Sequence, residues 1–146
     1  MYLPILDELD EIEVLALTIF GEARGEEVSG QVAVGCVIRN RKDNRSTYQE
    51  VCLKPLQFSC WNTSDPNYEL LIGMAEILTR NQNITNVHYL QCFWVAKGII
   101  DNLIKDNTNG CKYYITNDLF ANNRPKWARN LITPPKEIGN QTFFNI

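Results

Sequence analysis

Apolar residues recur at spacings of three and four along most of the chain, and this period confines it to a packed set of helices. Between Asp7 and Arg24 the stripe runs through Leu9, Ile12, Leu15, Ala16 and Ile19, with the acidic cluster from Asp7 to Glu13 biased toward the helix N-terminus that favours it. A helix over 7–24 is predicted, ending at Gly25. Val28, Val32, Cys36 and Val37 carry a second stripe that stops in the polar cluster from Asn40 to Arg45. Ser46 is read as the cap of a short helix reaching Leu53, and Pro55 forbids its continuation. Asp65-Pro66-Asn67 opens the next helix, with Leu70, Leu71, Met74, Ala75 and Leu78 on its stripe; Tyr89 to Ile104 follows. Beyond Asn109-Gly110 the texture changes. Tyr113 to Thr116 favours a strand, Pro125 to Asn130 one helical turn, and Thr142-Phe143-Phe144 a closing strand after a turn at Gly139-Asn140. The expected class is α+β, mostly α with a small β portion near the C-terminus.

A chain of 146 residues, 45% of them hydrophobic, fits a single domain over residues 1–146. At this size roughly 68–70% of the unfolded surface is buried, enough to hold one cleft. The net charge of -3 predicts no sequence-independent pull toward nucleic acid or anionic membrane, and no apolar run is long enough for membrane insertion. The start, Met1 to Pro4, lacks the basic region of a secretory signal, so synthesis in a cytoplasm is expected. Five cysteines without a C-x-x-C pair, and the single His88, do not make a usual zinc set. No metal or organic cofactor is expected, buried free thiols are the simpler reading of the cysteines, and His88 reads as a surface or interhelix residue.

Glu22 stands out among the polar residues. It follows Ile19 by three and Leu15 by seven, so a helix places its carboxyl on the buried stripe near the negative end of the helix dipole. A general acid needs such a setting, and Gly21 and Gly25 on either side leave room for a ligand to approach the backbone. A solvated glutamate paired with Arg24 or with its i+4 neighbour fits the pattern equally well. The aromatic loop Gln57-Phe58-Ser59-Cys60-Trp61 offers amide and hydroxyl groups for sugar hydroxyls and aromatic faces for sugar rings. Phe58 and Trp61 could instead plug the core beneath it.

The run Phe20-Gly21-Glu22-Ala23-Arg24-Gly25-Glu26, followed by Gly30 to Val34 and Val37 to Arg41, resembles the opening motif of the SleB-like cell wall hydrolases. Gln57 to Trp61, Tyr113-Tyr114, Trp127-Ala128 and Ile138-Gly139 with Phe143-Phe144 resemble later elements of that family in the same order, so the likeness spans Ile19 to Phe144. The resemblance implies a lysozyme-like domain that cleaves peptidoglycan glycan strands between N-acetylmuramic acid and N-acetylglucosamine, with Glu22 as the catalytic residue. Lytic transglycosylase chemistry, in which one carboxyl acts first as acid and then as base, is the expected mechanism.

Around Glu22 the same reading places Glu26, Gln57, Phe58, Ser59, Tyr113, Tyr114 and Trp127 as substrate-binding residues. Glu26 is expected to pair with Arg24 or Arg41 rather than to serve as a second catalytic carboxyl, because neighbours on one helix flank the same side of a ligand. Where the family pattern shows a histidine beside the aromatic strand, this chain has Lys112. Arg39, Arg41, Lys42 and Arg45 are read as a solvated helix end, able to hold acidic peptide stems or wall polymers. The alternatives are a muramidase in which Glu26 or Asp65 activates water, and a non-catalytic wall-binding or virion module. The expected partner is peptidoglycan, met as a monomer after release by a holin or export partner, as in a phage lysin.

Overall fold

The computed structural model describes residues 4–146; Met1 to Leu3, read above for the lack of a secretory start, lie outside them. The chain first makes a 3-10 turn, Pro4–Glu8, that buries Leu6, and only then enters α1, Glu11–Ala23. Asp10 sets that start. Its carboxylate accepts from Glu13 N at 2.8 Å while its own N–H donates to Glu13 Oε1 at 3.0 Å, a capping box whose stabilisation of about 1 kcal/mol favours Glu11 over the expected Asp7. From Val14 to Phe20 α1 is buried all round, so it is the axis of the domain rather than a helix with one buried stripe.

Four helices surround it: α2 (Val28–Arg41), α3 (Tyr48–Leu53), α4 (Tyr68–Thr79) and α5 (Val87–Ile100). Gly35 lets α1, α2 and α5 approach closely, since a Cβ there would lie 2.2 Å from Ile99 Cδ1 and 3.2 Å from Ile19 Cδ1. Thr47, not Ser46, caps α3, through a second capping box with Glu50. Helix α5 ends four residues before the expected Ile104. Asn102 takes a left-handed φ of 56°, Asn102 N donates to Ile99 O at 3.1 Å and Leu103 N to Gly98 O at 2.8 Å, which is a Schellman ending.

The end of α2 is not the solvated helix end that its basic residues suggested. Arg39 Nη1 donates to Ile104 O at 2.9 Å, Asn40 Nδ2 to Cys111 O at 3.0 Å and Arg41 Nε to Lys112 O at 2.6 Å. Three successive side chains thereby fix the path from the end of α5 to the sheet.

That sheet is antiparallel with order β1-β3-β2: β1 is Tyr113–Thr116, β2 Lys136–Ile138 and β3 Gln141–Phe144. Tyr114 lies opposite Phe143, and Tyr113 opposite Phe144. Alternation along β3 sends Phe143 into the main core and Phe144 into a smaller cluster with Ile115, Phe120 and Ala128. Phe120 belongs to α6, Asn117–Asn122, a helix that the sequence reading missed along with β2. The expected turn near Trp127 is a 3-10 turn, Lys126–Ala128. All five cysteines are buried and free, as the simpler reading held.

Candidate active site

Thr18, Gly21 and Glu22 share one face of α1, and the loop after α3 docks along that face. Trp61 Nε1 donates to Thr18 Oγ1 at 3.0 Å. At the next turn Cys60 packs on Gly21, where an added Cβ would stand only 2.7 Å from Cys60 Cβ, and Asn67 Nδ2 donates to Gly21 O at 3.2 Å. The space a side chain at Gly21 would need is taken by the chain's own loop, while Gly21 still lines the cleft beside Glu22; at Gly25 the space is open.

This docking brings two donors to Glu22. Cys60 N donates to Oε2 at 3.0 Å and Ser59 Oγ to the same oxygen at 3.4 Å. From the sheet, Tyr114 OH donates to Oε1 at 2.5 Å, its ring resting 5.4 Å from that of Phe143. Burial, then the negative charge of Glu22, hold the Tyr114 phenol well above its usual range, and the same two causes push up the Cys60 thiol. Both groups keep their protons through neutral pH. Glu22 is thus not a lone carboxyl on an apolar stripe; it is gripped by three donors from two distant segments, an arrangement the helical period could not reveal.

The carboxylate faces a cleft of about 700 Å³. Of the residues expected at the site, Glu22, Gln57, Ser59, Tyr113, Tyr114 and Trp127 line it. Tyr113, Trp127 and Phe144 form an aromatic cluster, with Tyr113 and Phe144 stacked at 5.9 Å and Trp127 left 52% exposed. Two expected residues stand elsewhere. Phe58 is buried at 2% exposure, so its ring belongs to the core. Glu26 turns to the β2–β3 hairpin, where its carboxylate accepts from Asn140 N and Asn140 Nδ2, both at 3.1 Å, instead of pairing with Arg24 or Arg41.

Arg41 was missed as a site residue. It lines the cleft with its guanidinium over the rings of Phe58 (5.0 Å) and Tyr113 (5.4 Å), and donates to Gln57 Oε1 at 3.3 Å. Burial lowers its pKa against the opposing pull of Tyr114, Tyr113 and Glu22. In sequence it is one of four neighbouring cations, and only the tertiary path of Lys112 singles it out. Asp65 also lines the cleft, its Oδ1 accepting from Asn67 N at 2.8 Å. His88 is exposed in the first turn of α5. Among the described residues no group of three or more His, Cys, Asp or Glu side chains could hold a metal ion.

A groove with one centrally held carboxylate and an aromatic wall suits a carbohydrate polymer, and comparison with known proteins bears on which. The Cell Wall Hydrolase family profile matches residues 25–144, beginning just after Glu22. The fold is similar to the catalytic domain of the germination-specific lytic transglycosylase SleB from Bacillus anthracis, with a TM-score of 0.62 and 25% identity over 99% of this chain and 97% of that one. It is also similar to the catalytic domain of the Bacillus cereus SleB protein, at a TM-score of 0.59 and 24% identity over 92% of this chain and 89% of that one. No curated protein sequence matches the chain. With more than three quarters of its length inside the family profile, the chain belongs to the SleB-like cell wall hydrolases and is a glycosidase-type cell wall lytic enzyme.

Proposed function

We propose that the chain is a lytic transglycosylase that cleaves the bond between N-acetylmuramic acid and N-acetylglucosamine in peptidoglycan, with Glu22 as its one catalytic carboxyl. The observation that carries this reading is the setting of Glu22: three donors fix both carboxylate oxygens at the wall of a groove sized for a glycan strand. In the first step a protonated Glu22 gives its proton to the glycosidic oxygen as the bond from that oxygen to C1 of the muramoyl sugar breaks. The carboxylate so formed then takes the proton of the muramoyl 6-hydroxyl as that oxygen bonds to C1, which closes a 1,6-anhydro ring and returns the proton to Glu22. Atoms and charge balance without water.

Tyr114, Cys60 N–H and Ser59 are in place to stabilise the carboxylate between these steps, since hydrogen bonds to a charged acceptor are the stronger kind. Gln57 and Ser59 offer polar groups to the sugar substituents, and Tyr113 and Trp127 offer ring faces. Similarity to a protein described as a lytic transglycosylase supports the same chemistry here. A second reading is favoured by Asp65, which lines the same cleft and could activate water for ordinary hydrolysis. Mass spectrometry of digested glycan strands separates the two. 1,6-Anhydromuramic ends are the expected product; reducing muramic ends would transfer the role to the Asp65 reading.

A further inference from the structure

The groove continues past the Glu22 cleft. A second cavity of about 1010 Å³ opens on the far side of Arg41, Gln57 and Tyr113, residues that line both spaces. Its floor is partly apolar, with Leu6 from the first turn and Val51 and Leu53 from α3. Besides Arg41, two lysines line it, Lys54 and Lys112, and among the described residues neither ammonium group makes an ion pair. Three anions line it too, Asp7, Asp43 and Glu50; Asp43 Oδ1 accepts from Arg45 N at 2.8 Å and Glu50 Oε1 from Thr47 N at 3.2 Å. Nothing in the Glu22 chemistry uses this space.

We propose that this second cavity is a subsite for the peptide stem of peptidoglycan, an acidic peptide whose carboxylates pair with Lys54 and Lys112 while its alanine methyl groups lie against Val51 and Leu53. The inference rests on the reading of the Glu22 cleft as the place of glycan cleavage. Its argument is geometric: the stem hangs from the lactyl group of the muramoyl sugar, one of the two sugars at the scissile bond. At no more than about 3.3–3.6 Å per extended residue, the first few stem residues must lie beside that sugar, and the cavity adjoins the cleft across Arg41, Gln57 and Tyr113. Size and mixed lining suit a short peptide. Each partly exposed pair adds only modestly to binding, so the effect is one of preference among substrates.

The test compares two substrates that share one glycan: strands bearing their stems, and the same strands stripped of stems by an amidase. The wild-type chain should cleave stem-bearing strands with kcat/KM about fivefold higher. In the double variant Lys54→Glu, Lys112→Glu the ratio should fall toward one, and the single variants Lys54→Ala and Lys112→Ala should each remove part of it. High salt should lower the wild-type ratio as well. Equal cleavage of both substrates by the wild type overturns the stem subsite and leaves the Glu22 reading standing, and so does a double variant that keeps the full ratio. Failure to cleave either substrate overturns both. A salt-sensitive preference for strands carrying anionic wall polymers, with no preference for stems, would assign the lysines to a different ligand.

Discussion

Gly21 couples the fold to the proposed chemistry, and replacing it with alanine shows how tightly. The new Cβ would lie 2.7 Å from Cys60 Cβ, 2.8 Å from Leu71 Cδ1 and 2.9 Å from Cys60 Sγ. Ordinary contact begins at 3.4 Å, so the turn Ser59–Trp61 must retreat from α1 by about 0.7 Å. The same retreat would stretch the Cys60 N to Glu22 Oε2 bond from 3.0 Å toward about 3.7 Å, beyond hydrogen-bonding range. Overpacking of this kind costs about 1–3 kcal/mol, against which alanine gains about 1 kcal/mol as the better helix former, so the net loss of stability is about 0–2 kcal/mol. Activity should suffer more. Misplacing a catalytic group by a fraction of an ångström, with one donor lost, predicts a fall in kcat of about 10–100-fold. Urea unfolding reads the first effect as a lower midpoint at unchanged slope, and release of soluble fragments from purified walls reads the second. Gly25→Ala is the control, because nothing lies within 4 Å of its new Cβ. Wild-type activity in Gly21→Ala, or an equal loss in Gly25→Ala, would refute the reasoning.

Other variants probe single contacts. Tyr114→Phe removes the 2.5 Å donor to Glu22 and should lower kcat about tenfold with a smaller change in KM, as steady-state kinetics on soluble glycan strands would show. Glu26→Ala strips two hydrogen bonds from Asn140 and should cost about 1–2 kcal/mol in thermal unfolding while kcat holds, because Glu26 does not line the cleft. Burial pushes the Cys52 and Cys92 thiols up to about 12, so the folded chain holds protons that the unfolded chain releases above about pH 9. This stability is fully present below the unfolded value and is lost as pH rises toward the folded one, at about 1.4 kcal/mol per pH unit for each thiol. Urea titrations should find the chain at least about 3 kcal/mol less stable at pH 10 than at pH 8, these two thiols alone supplying that much, and thiol reagents should find five reactive cysteines only after unfolding.

The helical half of the chain was legible because its stripes are long and its period is regular; α1, α2, α4 and α5 each fall where apolar spacing puts them. Boundaries shifted wherever a local hydrogen bond outweighed periodicity, as Asp10 did at the start of α1 and Asn102 at the end of α5. The short C-terminal elements were hidden for a different reason. Helix α6 is only six residues, too short for a helical stripe, and is held by a Thr116 cap, and β2 is an exposed edge strand with Ile138 as its one apolar residue, defined by pairing with β3 rather than by its own pattern. At the site, Glu22 and the aromatic loop could be read from residue type and order, but their partners could not. Arg41 became part of the cleft through the Lys112 carbonyl 71 positions away, and Glu26 left it through Asn140, 114 positions away. Contacts of that range leave no trace in local spacing. Phe58 illustrates the ambiguity of an aromatic residue beside a groove: the same ring fits core or ligand, and 2% exposure assigns it to the core.

Glu22→Gln bears most directly on the central proposal, since it keeps the shape of the side chain and removes the carboxyl. Purified cell walls would be incubated with the variant while turbidity is followed, with wall binding and unfolding measured on the same preparation. Loss of lysis by at least about a thousandfold, with binding and unfolding midpoint close to wild type, is the predicted result. Lysis at the wild-type rate by a folded, wall-binding Glu22→Gln protein would contradict it.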